Sequence, residues 1–207
     1  MRHNDRVPEG ASSRDVQRQR TRARLLDAAI VEYQRAGFVG ADINAIVEAA
    51  GVSRSTFYFH FPSREHVLLE LIRRDEAQLA EELSRFLDSR HTLPAVLNEI
   101  VVRVLALERQ WGGGLFRDVI GLYFSSTRPP EEWGRHPIFV LLAAEIERAR
   151  HRGELHDDVD PYDSAAFFLV GVYALLTSNR EPTPERDLIL SKFVKSTLRS
   201  LERTRSN

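Results

Sequence analysis

Apolar residues recur at spacings of three and four along most of this chain, the period of helices packed on a core, and no stretch shows a convincing strand alternation or an internal repeat. The most informative pattern lies between Asp42 and Arg64. Ile43, Ile46, Val47 and Ala50 give one short apolar face, with Asp42 placed to cap it by accepting from a free N–H of the first turn. Gly51 ends this helix, because glycine turns left-handed without steric cost. Ser53 is the N-cap of the next helix, and Val52 and Phe57 have the spacing of a hydrophobic staple. Pro62 ends that helix, and Ser63 caps a third.

The second of these helices, roughly 54 to 61, resolves into faces at about 100° per residue. Phe57 and Phe61 point to the core; Ser55 and Phe59 point away, with Thr56 beside them, and Arg54, Tyr58 and His60 flank this outer face. Two short helices joined by a tight turn, the second polar and aromatic outside, have the layout of a helix-turn-helix that reads the DNA major groove. Arg54, near the helix start, suits a guanine edge, and Ser55 and Phe59 suit a base or a thymine methyl. Thr56, Tyr58, His60 and Arg64 suit phosphates, and Arg64 opens a helix whose dipole also favours an anion. Asn44 reads equally as a phosphate contact or plain surface. Packing roles for Tyr58, Phe59 and His60, and a solvated charge for Arg54, are the alternatives. The expected DNA-contacting set is Asn44, Ser53, Arg54, Ser55, Thr56, Tyr58, Phe59, His60 and Arg64.

The run Gly51-Val-Ser-Arg-Ser-Thr-Phe-Tyr-Phe-His-Phe-Pro-Ser-Arg-Glu65, followed by Val67-Leu68-Leu69, closely resembles the signature of the TetR family of bacterial transcriptional regulators. Leu25-Leu26-Asp27-Ala28-Ala29 and Ala36-Gly37-Phe38 resemble that family's first helix and its exit. The resemblance covers residues 18 to 72; beyond them it rests on helix number and length. In two places the chain departs from it. A Thr is common where Ala41 or Asp42 stands, and a Lys where Arg64 stands. The resemblance implies an all-α fold of about nine helices: an N-terminal three-helix DNA-binding head and a C-terminal helical domain for effector binding and dimerisation. It also implies repression as the usual mode. The expected organisation is a disordered tail over 1–13, a head over 14–62 and the second domain over 63–207.

The rest of the chain reads as helices. One runs from Arg64 to about Leu87 and one from near Pro94 to Trp111; Gly112-Gly113-Gly114 breaks the chain before a short helix from Leu115 to Phe124. Further helices start at Glu131 or Pro137, ending at Gly153, at Pro161, reaching about Asn179, and at Pro184, reaching about Arg203. The last two are the dimerisation candidates. The first offers small side chains at Ala165, Ala166, Gly171 and Ala174, the second an apolar stripe at Leu188, Ile189, Phe193, Val194, Leu198 and Leu201, and part of each must also serve its own core.

Aromatic residues concentrate in the second domain. Helical spacing makes core packing and a ligand box equally good readings, but the cluster surrounds a Gly-rich break and a Pro-rich loop. The resemblance implies a small-molecule pocket there, so Trp111, Phe116, Tyr123, Phe124, Phe139 and Phe168 are the candidate ligand-binding residues for a mostly apolar effector, with Arg109, Arg117 or Asn179 as polar anchors. The expected mechanism is a population shift, in which ligand changes the tilt of the helix starting near Arg64 and DNA is released.

Composition narrows the rest. The 207 residues are 43% hydrophobic, enough for one or two domains with a real core. With no Cys there is neither a disulfide framework nor a Cys-based metal site. No signal peptide is visible, and the run Ala165 to Leu176 is too short to span a bilayer, so a cytoplasmic protein is expected. Net charge is only −1; basicity is local, with Arg14, Arg18, Arg20, Arg22 and Arg24 facing the single acid Asp15. An inert tail and a minor-groove arm are both open for residues 1 to 13. No nucleophile elbow, phosphate loop or His-Glu metal motif points to an enzyme, and no cofactor is expected. His151, His156, Asp157 and Asp158 straddle a Gly helix stop, a spacing that suits a capped turn better than a metal site. The expected partners are double-stranded DNA carrying a near-palindromic operator, a small-molecule effector and a second copy of the chain. The alternative is a DNA-bound scaffold or regulator controlled by a protein partner.

Overall fold

The computed structural model describes residues 13–123, 136–178 and 183–203. Among them the chain forms nine helices: α1 (Ser13–Gly40), α2 (Ile43–Ala49), α3 (Arg54–His60), α4 (Arg64–Leu87), α5 (Leu93–Trp111), α6 (Gly113–Tyr123), α7 (Pro137–His151), α8 (Pro161–Ser178) and α9 (Pro184–Leu201). The only extended pairing among these residues is an isolated bridge between Leu155 and Glu202. The chain divides into two compact units, Met1–Leu71 and Ile72–Asn207, so the first turns of α4 belong to the first unit.

In the first unit, Leu25 and Ala29 of α1, Ile46 of α2, Phe57 beside Phe61 at the end of α3, and Val67, Leu68 and Leu71 of α4 are all fully buried. Local chemistry sets the joints. Gly37 interrupts α1 with φ of 71°, and Gly51 turns the chain between α2 and α3 with φ of 63°, a left-handed region that a side chain makes costly. Asp42 Oδ1 accepts the Asn44 N–H at 2.8 Å and Ser53 Oγ accepts the Thr56 N–H at 3.2 Å, so both N-caps read from the sequence are in place.

In the second unit, α5 buries Val96, Leu97, Ile100, Val104, Glu108 and Trp111 along one face. The break after it needs one residue, not three. Gly112 alone takes φ of 78°, and Gly113 and Gly114 already belong to α6, which starts two residues earlier than the pattern predicts. The interior also holds charge. Arg186 of α9 donates from Nη1 to Glu108 Oε1 at 2.9 Å, with the two residues 2% and 7% exposed. Trp111 Nε1 donates to Asp75 Oδ2 at 2.6 Å, and Arg74 Nε donates to the other oxygen of that carboxylate at 2.9 Å.

Helices α8 and α9 divide their apolar residues differently from the sequence pattern. Ala165, Val194, Leu198 and Leu201 are buried within the protomer. Phe193 stacks on Phe168 with ring centroids 5.7 Å apart and lies so close to Gly171 that a methyl there would meet its ring at 2.3 Å. The small residue at 171 therefore serves the chain's own packing. Phe167, Val170, Leu188 and Ile189 remain outside.

Candidate nucleic-acid interface

The head carries its candidate site on α3, a helix of seven residues. Phe57 and Phe61 anchor it, and Arg54, Ser55, Tyr58 and Phe59 stand exposed on the other side. Arg54 is oriented within the head. Its Nη1 donates to Asn44 Oδ1 at 3.3 Å, and its guanidinium carbon lies 5.9 Å from the Tyr58 ring centroid. Asn44, exposed on α2, thus meets α3 at its start. Ser53 Oγ lies 2.8 Å from both Ser55 Oγ and Thr56 Oγ1, so the cap also fixes two neighbouring hydroxyls.

His60 and Arg64 sit differently from their sequence reading. His60 does not flank the outer face: it is 8% exposed, and among the described residues its Nδ1 has no hydrogen-bond partner. At 100° per residue it lies about 60° round the helix from Phe57, on the buried side. Arg64 donates from Nη1 to the carbonyls of Val39 and Ala41, both at 3.1 Å, while Tyr33 Oη donates to the Arg64 carbonyl at 3.1 Å. Its guanidinium therefore ties the start of α4 to the chain leaving α1.

Residues 25–71 match the profile of the bacterial regulatory proteins of the tetR family. The first unit thus carries the segment that marks the TetR family of transcriptional regulators. Over 160 residues it is 25% identical to the uncharacterised HTH-type transcriptional regulator YdgC of Bacillus subtilis, covering 77% of this chain and 80% of that one. Over 163 residues it is 28% identical to the HTH-type transcriptional regulator UidR of Escherichia coli, covering 76% and 81%. Its fold is shared with the transcriptional regulator FadR of Bacillus subtilis, solved in complex with stearoyl-CoA, at a TM-score of 0.66 and 16% identity over 86% of this chain and 98% of that one.

This TetR-family head uses three α1 side chains that the sequence reading passed over. Arg22 donates from Nη1 to the His60 carbonyl at 2.8 Å, pairs with Glu70 at 3.2 Å and lies 4.4 Å from the Phe61 ring centroid, closing the end of α3. Arg18 lies over Phe59. Glu32, 5% exposed, accepts from Nε and Nη2 of Arg35 and from the Asp42 N–H at 3.0 Å, which positions the chain entering α2. The signal available was spacing: Arg18 and Arg22 are four apart and share one ridge of α1.

These contacts give the head an acid limb. Hydrogen bonds from Arg35 and then from the Asp42 N–H hold the Glu32 carboxyl down at about 2, against an ordinary 4.5. Burial first, then the charges of Arg18 and Arg22, hold His60 below its ordinary 6.5. Both groups bind protons more readily in the unfolded chain, so both favour the folded head at higher pH. Protection of α2 and α3 amides from hydrogen exchange, corrected for intrinsic rates, is expected to be flat above about pH 6.5, to fall below it, and to fall further between about 4.5 and 2. His60→Gln should remove the upper limb and Glu32→Gln the lower; an unchanged profile in both variants would rule this assignment out.

The candidate ligand residues in the second unit divide. Trp111, Phe116, Phe139 and Phe168 are buried. Trp111 meets Phe116 at 6.2 Å, Phe116 meets Tyr173 at 6.5 Å, and Phe139 meets Tyr162 at 5.0 Å, all between ring centroids. Phe124, Trp133, Asn179 and the side chain of Tyr123 lie outside the described residues, as do residues 1–12. A cleft of about 320 Å³ between α5 and α9 is lined by Asn98, Arg109 and Arg186, and the four buried aromatics do not line it. Arg109 is exposed there, and Arg117 is exposed on α6. No helix among the described residues is long and apolar enough to cross a membrane.

Proposed function

We propose that this TetR-family regulator binds a near-palindromic operator as a homodimer, represses transcription there, and is released by a small, mostly apolar effector taken up by its second unit. The outer face of α3 carries the reading: Arg54, Ser55, Tyr58 and Phe59 are exposed while Phe57 and Phe61 are fully buried beneath them. A short helix held this way offers its first turn to base edges. Arg54, steadied by Asn44 and Tyr58, reads guanine; Ser55 and Phe59 meet a base or a thymine methyl; Thr56 and Tyr58 meet phosphates.

The second copy docks on α8 and α9. Phe167 and Leu188 are 72% and 55% exposed, and Val170 and Ile189 extend the same apolar character, a surface that favours association. The effector binds in the second unit, where Asp75, hydrogen-bonded to Trp111, and the Glu108–Arg186 pair are buried and supply polar groups within an apolar interior. The stearoyl-CoA of the FadR complex supports a ligand with a long apolar part. Binding is coupled to the head through α4, whose residues belong to both units, so effector and DNA weaken each other by the same factor.

Genome-wide DNA selection with the purified protein, at stated salt, tests the reading: an enriched near-palindrome supports it, and binding without a motif favours a scaffold. On the enriched site, Arg54→Ala is expected to cost about 1–3 kcal/mol, concentrated at one base pair. Equal losses on the selected and scrambled duplexes would remove Arg54 from base reading.

A further inference from the structure

Two guanidinium groups border the outer face of α3. Arg54 lies against Tyr58 at one end, and Arg18, from α1, lies 5.3 Å from the centroid of Phe59 at the other. Phe59 is 67% exposed, and its ring is open on the outer face beside that guanidinium. The other arginine of the same α1 ridge, Arg22, is already committed to Glu70 and the His60 carbonyl. Among the described residues Arg18 has no carboxylate partner, and its aromatic neighbour holds it in place without neutralising it. Its charge, with that of Arg22, is felt by the buried His60. A fixed, exposed, uncompensated cation beside a recognition helix matches a DNA backbone phosphate.

We propose that Arg18 is a DNA-contacting residue outside the helix-turn-helix, pairing with a backbone phosphate while Phe59 serves as the platform that orients it. The DNA surface then spans α1 and α3, and Phe59 contributes by positioning a cation as well as by any contact of its own. The inference rests on the DNA-binding reading above and assigns one more of its contacts.

A phosphate contact is independent of sequence, so a mixed-sequence duplex about three helical turns long is a sufficient probe. Affinity of the full chain is measured by fluorescence anisotropy over a series of KCl concentrations. Arg18→Ala is expected to weaken binding about three- to tenfold at low salt and to reduce the slope of log K against log salt by about 0.9 for each subunit bound. Arg18→Lys, which keeps the charge, should restore the slope. In a Phe59→Ala background, removing Arg18 should cost less than it does in the parent. Arg90→Ala, the same charge change at an exposed position between α4 and α5, should leave the slope unchanged. Parent affinity and slope in Arg18→Ala would overturn the assignment, as would an equal loss of slope in Arg90→Ala. A parent protein that binds no duplex even at the lowest salt would instead overturn the DNA-binding reading, and this inference with it.

Discussion

Arg186→Ala is expected to lower the unfolding free energy by about 3–5 kcal/mol, the largest single effect in the second unit. Arg186 and Glu108 are separated by 78 positions in sequence and meet at 2.9 Å with almost no exposure. Removing the guanidinium leaves a carboxylate in a site that water reaches poorly, and the loss is the cost of that stranded charge more than the worth of the pair. The double replacement Glu108→Leu with Arg186→Met strands nothing and should come within about 1–2 kcal/mol of the parent. Urea denaturation at a fixed protein concentration measures both. A cost below about 1 kcal/mol for Arg186→Ala would mean that Glu108 reaches solvent or another partner without difficulty.

Phe57→Ala should cost about 3–5 kcal/mol within the head and abolish DNA binding at every sequence alike. Helix α3 has seven residues, well under the length at which a helix persists alone, so its geometry depends on Phe57 and Phe61 seated in the core. Ser53 contributes a cap worth only about 1 kcal/mol, too little to hold α3 without them. Phe59→Ala is the control: its ring is exposed, so stability should change by about 0.5 kcal/mol or less while DNA affinity falls. Hydrogen exchange of the α3 amides, read alongside DNA affinity, separates the two variants. Equal loss of protection in both would mean that the outer aromatic carries as much of the helix as the inner one.

The head was legible because its joints are local. Asp42, Gly51 and Ser53 act on backbone groups within three residues of themselves, and their effects can be read without knowing what packs where. Helix starts at Arg64, Pro161 and Pro184 followed from the same short-range chemistry, and α7 begins at Pro137, one of the two starts the pattern allows. Polarity suggests the outer face for His60, whereas the helical period puts it beside Phe57, where it is buried. Contacts between distant segments were not legible. The arginines that close α3 lie about 40 positions before it, and nothing near Arg22 announces the His60 carbonyl. Gly171 looked like room for a neighbouring helix, and only the folded chain shows Phe193 filling it. The Glu108–Arg186 pair gave no signal at all, since each residue taken alone reads as exposed surface.

The shortness of α3 sets a limit on how much sequence one head can tell apart. Seven residues at 1.5 Å each make a rod of about 10 Å, against about 3.4 Å for each base pair along the duplex. One head therefore spans roughly three base pairs, a word that recurs by chance about once in 64 positions. A bacterial chromosome offers on the order of 10⁶ competing positions, so a single head would spend nearly all its time on the wrong one. Two heads acting together multiply their discrimination, and bends and phosphate contacts beyond the base edges add to it. In the proposed dimer, addressing a gene is thus a property of the pair, and a lone protomer carries only half a word.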